Sequence, residues 1–276
     1  MPRAPEPDPP GIPELPPGLV GDASPRAGIA YRLLRITWRA IAFTLGFRVE
    51  LAGLEHLPRT PDGHLAGGWI CAGIPHRSWV DPFLPWGWLP AEPRLCFFGD
   101  ARTMARSSLR RWVLRRVGGI IPIPSHGGPR SFATHLEAAR AVIDAGAVFC
   151  LFPESGAMVP AGTARPVSSG IGYIALRTGA PIVPVVIGGN DVLFLGRRLS
   201  VRVLPAVSWG SLVAADGQPV PEAVPEPGSA DERRLARRIA DGLRATTAPD
   251  VAGAYRAAVP PPGRPQRWRG LTTLFR

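Results

Sequence analysis

Lysine is missing altogether from this 276-residue chain. All 32 basic residues are arginine and only 21 residues are acidic, so the formal net charge is +11. Two accounts of that balance stay open. Arginine, together with abundant alanine, glycine and proline, reflects a GC-rich genome, or the surface faces an anionic partner such as nucleic acid, lipid head groups or a phosphorylated cofactor. Cysteine is scarce: Cys71, Cys96 and Cys150 are odd in number, lie in apolar stretches and form neither a CxxC pair nor a His/Cys metal spacing. They read as reduced core residues of a cytosolic protein, with no metal or other cofactor. Long apolar runs are lacking as well, since none reaches the ~18 uninterrupted residues that span a bilayer. The first residues are proline-rich rather than basic and apolar, so no signal peptide is read there. No internal repeat occurs, and no recognised motif supports a nucleic-acid partner.

With 45% hydrophobic residues the chain has enough apolar side chains for a buried core. Residues 1–27 are dominated by proline and carry too few large apolar side chains to offset the entropy of ordering, which predicts disorder. Residues 28–210 read as one folded domain. A proline-rich linker over 211–228, a charged helix over 229–247 and a basic tail over 248–276 follow it. Within the domain, 27–47 has the spacing of an amphipathic N-terminal helix, with Arg32, Arg35 and Arg39 among Leu33, Leu34, Ile36, Trp38, Ile41, Phe43 and Leu45. Such a helix suits the plane of an anionic membrane surface, with its arginines at head-group level. The alternative is a helix packed on its own domain. On the first alternative, any membrane contact is peripheral, and the expected location is the cytoplasmic, inner face of the cell membrane.

From residue 50 onward, short apolar runs at 65–72, 95–98, 119–123, 147–152, 182–187 and 199–204 alternate with helical patterns near 102–117, 129–145 and 168–178. Strands buried on both faces read as continuous apolar runs. Their alternation with helices predicts an α/β fold with a mostly parallel central sheet flanked by helices.

The most informative stretch runs from Gly73 through Pro75, His76, Arg77, Ser78 and Asp81 to Phe83, after one predicted strand and before a predicted helix. Histidine is the side chain whose ordinary pKa suits proton abstraction from a hydroxyl near neutrality, and a carboxylate on its other nitrogen fixes tautomer and orientation. Residues five apart on one helix point about 140° away from each other, so His76 and Asp81 meet only across a turn. Pro75 and the Asp81-Pro82 pair supply turn chemistry. The competing reading makes Asp81 the N-cap of the next helix and His76 a loop residue. Five histidines and 11 aspartates produce some H-x4-D spacing by chance about one time in five, so context has to carry the assignment.

With its flanks, the segment resembles the H-x4-D motif of the glycerolipid acyltransferase family, the PlsC-like lysophosphatidic acid acyltransferases. Three further stretches resemble that family's blocks in order: Gly119-Ile120-Ile121-Pro122-Ile123, Phe152-Pro153-Glu154 and Ala180-Pro181-Ile182-Val183-Pro184-Val185. The resemblance covers about 30–210. It implies an O-acyltransferase that moves a fatty-acyl group from acyl-CoA or acyl carrier protein to the hydroxyl of a lyso-lipid or other lipid acceptor. By the same resemblance His76 is the general base, Asp81 its partner, and Phe152, Pro153, Glu154, Ser155 and Gly156 belong to substrate binding. The chain departs from the family where Gly-Thr-Arg usually follows the glutamate, for here Ser155-Gly156-Ala157 follows. It departs again at the end of the second block, where Pro124-Ser125 stand in place of an arginine. Arg130 and Arg165 are the candidate substitutes for those phosphate contacts. The departures favour an acceptor without a phosphate. A 1-acylglycerol-3-phosphate acyltransferase is the enzymatic alternative, and a catalytically inactive lipid-binding homologue is the alternative of another class.

Overall fold

The six apolar runs become six of the strands: a run with apolar side chains on both sides is stable only where both faces of a sheet are covered, and the run at 199–204 instead alternates buried with exposed or half-buried residues. The computed structural model describes residues 23–100, 112, 117–123, 129–154, 159–160 and 162–258. Its strands are β1 (Arg48–Ala52), β2 (Trp69–Ile74), β3 (Leu95–Asp100), β4 (Ile120–Ile123), β5 (Val148–Leu151), β6 (Ile182–Gly188) and β7 (Arg198–Val203). They form one seven-stranded sheet in the order β1-β7-β6-β2-β5-β3-β4. Every neighbouring pair is parallel except β6 with β7. The expected α/β class with a mostly parallel sheet and flanking helices is therefore the one observed.

Strand β1 was not expected. Its sequence Arg-Val-Glu-Leu-Ala alternates exposed and half-buried positions, as an edge strand does, and a search for continuous apolar runs passes over such a pattern. The helices among the described residues are α1 (Ile29–Thr44), α2 (Phe83–Trp88), α3 (Pro129–Asp144), α4 (Gly170–Thr178), α5 (Trp209–Ala214) and α6 (Ala230–Ala258). Helix α6 runs well past the expected end at 247, continuing through Pro249. Val251, in the turn after that proline, is buried against the core, so tertiary packing outweighs the local penalty of a proline inside a helix. The short α5 falls in what the sequence suggested was the junction to the linker. The predicted helix over 102–117, apart from 112 and 117, and the segments 1–22 and 259–276 lie outside the described residues.

Alternate side chains of the central strands β2, β5 and β6 enter two cores. Ile70, Ala72, Ile74 and Phe149 pack with α3, α4, α5 and α6 on one face. Trp69, Cys71, Val148, Cys150, Val183 and Val185 pack beneath α1 and α2 on the other. All three cysteines are buried free thiols, and Cys71 lies opposite Cys150 in the β2–β5 register.

Helix α1 packs on its own domain through one stripe and leaves an apolar stripe outside. It buries Tyr31, Arg35, Trp38 and Ala42, a stripe at helical spacing. Arg35 is 4% exposed, and its guanidinium donates to the carbonyls of Pro90 at 3.1 Å, Gly87 at 3.1 Å and Leu89. Arg39 Nε donates to Gly87 O at 2.7 Å, and Arg32 pairs with Glu92 at 2.6 Å. The arginines thus bind the end of α2 and the turn after it, where carbonyl groups lack helical partners. The outer face of α1 is left to Ile29, Leu33, Ile36 and Phe43, exposed by 78%, 58%, 60% and 82%. Of the three arginines only Arg35 faces inward; Arg32 and Arg39 stay exposed at the edge of the outward apolar stripe while reaching back to the end of α2 and the turn after it. Among the described residues no helix is long and apolar enough to cross a membrane.

Candidate active site

Strands β5, β2 and β6 are adjacent, so their carboxyl ends bring three loops to one edge of the sheet. These carry Pro75-His76, Phe152-Pro153-Glu154 and Gly189-Asn190-Asp191 respectively after β2, β5 and β6. From β2 the chain builds β3, β4 and β5 on one side and then β6 and β7 on the other. Such a reversal opens a crevice at the carboxyl edge of an α/β sheet.

In that crevice His76 Nδ1 lies 2.9 Å from Asp81 Oδ2. The turn between them closes because the Asp81 carboxylate gathers the backbone of its own loop: Oδ2 also accepts from Arg77 N at 2.5 Å and Ser78 N at 2.6 Å. Oδ1 accepts from Ser78 Oγ at 2.8 Å and Asn190 Nδ2 at 2.9 Å. A fully buried carboxylate demands such partners, since burial removes its water. The Asp81 side chain is 0% exposed and the His76 side chain 47%. Because a carboxylate accepts and does not donate, the contact places the imidazole proton on Nδ1 and leaves Nε2 as the basic nitrogen. The helix-cap reading of Asp81 is corrected by the same contacts. Pro82 is the residue at the N-cap of α2, and it makes no side-chain capping bond.

Glu154 approaches from β5. Its Oε2 accepts from His76 N at 2.9 Å and its Oε1 from Arg165 N at 3.2 Å, while Arg165 Nη1 donates to His76 O at 3.1 Å. The His76 peptide is thereby gripped at both its N–H and its carbonyl. Phe152 stacks on the imidazole with ring centroids 4.8 Å apart, tilted by 35°. Pro153 O accepts from Ser168 N at 2.7 Å, which ties the Glu154 loop to the start of α4. Of the residues the sequence nominated, His76, Asp81, Phe152, Pro153, Glu154 and Arg165 meet here. Ser155, Gly156 and the side chain of Arg130 lie outside the described residues.

Three contributors went unnoticed in the sequence. Arg77 lies beside the base but points away from it: its Nη2 donates to Thr163 O at 2.7 Å and its Nε stands 3.8 Å from Asp191 Oδ1. Burial raises the Asp191 pKa, against the opposing charges of Arg77 and Arg197. Ser78 holds Asp81 through both its N–H and its hydroxyl. Asn190, 1% exposed, comes from the loop after the neighbouring strand β6, 109 residues from Asp81 in sequence. The one available hint was a polar Asn-Asp pair directly after the apolar strand β6. Among the described residues no cluster of His, Cys, Asp and Glu has the makings of a metal site.

The chain is similar to the crystal structure of the 1-acyl-sn-glycerophosphate (LPA) acyltransferase PlsC from Thermotoga maritima. The TM-score is 0.47 at 19% identity, over 78% of this chain and 79% of that one. A family model described as Acyltransferase matches residues 48–188, which run from the first residue of β1 to the last of β6 and include His76, Asp81 and Glu154. That match takes in just over half of the 276 residues, and this chain belongs to the Acyltransferase family.

Proposed function

We propose that this acyltransferase moves a fatty-acyl group from acyl-CoA or acyl carrier protein to a lipid hydroxyl, with His76 as general base and Asp81 as its orienting partner. The observation that carries the reading is the 2.9 Å contact between His76 Nδ1 and a fully buried Asp81 carboxylate. His76 Nε2 takes the acceptor's hydroxyl proton, and the oxygen attacks the thioester carbonyl. The tetrahedral adduct then expels the thiolate, which receives the proton back from the imidazolium. Asp81 stabilises that imidazolium and needs no proton of its own. The intact pair speaks against a catalytically inactive lipid-binding homologue.

Among the described residues, Arg77 and Arg165 beside His76 make protein contacts, which supports an acceptor without a phosphate. Arg165 holds the His76 carbonyl, and Arg77 is committed to Thr163 O and Asp191. A phosphate bound without a charge-assisted partner forgoes roughly 1.5–3 kcal/mol. The outward apolar stripe of α1 supports peripheral docking on a membrane surface, which brings a lipid acceptor to the crevice; the inner face of the cell membrane is the location we propose.

The test is thiol release from acyl-CoA and from loaded carrier protein, with a panel of lysophospholipids, monoacylglycerol and glycolipid acceptors. Turnover that collapses in His76→Ala is expected. Full turnover in that variant would refute the base assignment. Lysophosphatidic acid as much the best acceptor would refute the phosphate-free acceptor and identify a 1-acylglycerol-3-phosphate acyltransferase.

A further inference from the structure

We propose that Asn190 is a positioning residue for the acyl-transfer base, holding the Asp81 carboxylate in the plane that His76 needs. The inference rests on the assignment of His76 and Asp81 above. Asn190 Nδ2 donates to two acceptors at once, Asp81 Oδ1 at 2.9 Å and Pro75 O at 3.0 Å. Both facing atoms only accept, so the amide NH2, and not its oxygen, must face them. The amide oxygen is buried with no hydrogen-bond partner among the described residues. A buried amide with one end unsatisfied is a poor stabilising device. Its worth lies in what the NH2 end holds.

What it holds is the buried carboxylate against which the half-exposed His76 ring is oriented. The Asp81 carboxylate can rotate about its Cβ–Cγ bond, and His76 needs Oδ2 turned toward Nδ1. Ser78 Oγ and Asn190 Nδ2 pin Oδ1, and pinning one oxygen of a planar carboxylate orients the other. Pro75 immediately precedes His76, so the same NH2 also ties the backbone at the end of β2 to the acid that orients the base. Ser78 belongs to the same turn as Asp81 and moves with it. Asn190 does not, and so references the pair to the sheet.

The β6–β7 turn is built to deliver this amide. Gly189 adopts φ +81°, and a Cβ there would stand 2.2 Å from Arg198 O. Any other residue is excluded by conformation and by space. Arg197 Nε donates to Gly189 O at 2.8 Å and locks the turn from below. Among the described residues, the ionisable groups around the pair are Arg77 from the loop after β2 itself, Glu154 and Arg165 from the side of β5, and Asp191 and Arg197 from the side of β6.

The test uses the full chain with palmitoyl-CoA and a pooled acceptor of lysophosphatidic acid, lysophosphatidylethanolamine and monoacylglycerol. Asn190→Ala is expected to lower kcat about tenfold or more, the size expected for losing one hydrogen bond to a charged group, with KM for palmitoyl-CoA unchanged. In ¹⁵N-histidine spectra of the same variant, the His76 Nδ1–H tautomer signature is expected to weaken. Asn190→Asp has the same shape and keeps the proposal testable if the alanine variant is unstable. Two facing carboxylates share a proton more readily at low pH, so its kcat relative to wild type is expected to be highest at acidic pH and to fall as pH rises. A wild-type kcat and tautomer signature in Asn190→Ala, beside an inactive His76→Ala, overturns this inference alone. So does an Asn190→Asp deficit that is the same at every pH. Retained turnover in His76→Ala overturns the base assignment and this inference with it.

Discussion

The Phe152 ring fills the space that a side chain on Gly73 would need. A methyl at Gly73 would stand 2.4 Å from ring Cε1, and the same ring stacks on His76 at 4.8 Å. Gly73→Ala therefore pushes Phe152 against the base. Overpacking of this kind costs about 1–3 kcal/mol, and the expected outcome is a folded protein with a lower thermal midpoint and kcat reduced more than KM is raised. Phe152→Leu in the Gly73→Ala background frees space and is expected to recover part of both. Thermal melts and thiol-release kinetics check the pair.

Glu154 grips the His76 peptide, and its removal is expected to act on turnover. Glu154→Ala leaves the His76 N–H without its charged acceptor, a loss of about 1.5–3 kcal/mol or roughly ten- to a hundredfold in rate. Glu154→Gln keeps one acceptor oxygen and is expected to fall between that variant and wild type. Equal activity in all three proteins would remove Glu154 from the site.

The outward face of α1 carries Ile29, Leu33, Ile36 and Phe43, whereas Arg32, Arg35 and Arg39 are engaged with Glu92 and with carbonyl groups of residues 87–90. Vesicle binding is accordingly expected to depend on apolar contact and little on anionic lipid or salt. Leu33→Glu with Phe43→Glu removes two large side chains, each worth roughly 1.5–3 kcal/mol when buried. Flotation with neutral vesicles should then show a loss of at least about a hundredfold in partitioning, with the melting temperature unchanged. Binding that vanishes in high salt would overturn this expectation and assign docking to exposed basic side chains such as Arg32 and Arg39.

Burial pushes the Tyr31 phenol from 10.0 up to about 12. The folded state thus favours the protonated form. Below pH ~10 both states keep the proton and this contribution is complete. As pH rises from there toward 12, the unfolded chain ionises first and stability falls, by roughly 3 kcal/mol at full separation. Urea midpoints should drop across that window in the wild type and drop less in Tyr31→Phe.

Much of this molecule was legible from residue order. Short apolar runs announced six strands, and ordered motifs led to His76, Asp81 and Glu154. The edge strand β1 escaped because half-exposed alternation resembles a loop. The orientation of α1 escaped because helical spacing places Arg32, Arg35 and Arg39 near one another without saying which way that face turns. The carbonyls at the end of α2, which have no helical partners, decided it.

The sequence by itself determined the chemistry on offer: an imidazole and a carboxylate five residues apart, turn-forming prolines between strand and helix, and an α/β alternation that puts loops at one edge. Tertiary structure alone decided which groups complete the site. Spacing along a chain constrains only near neighbours, whereas Asn190 reaches Asp81 across 109 residues and Glu154 reaches His76 across 78. Both do so because β5 and β6 flank β2, and strand order in a sheet is set by how two cores fill, not by any local signal.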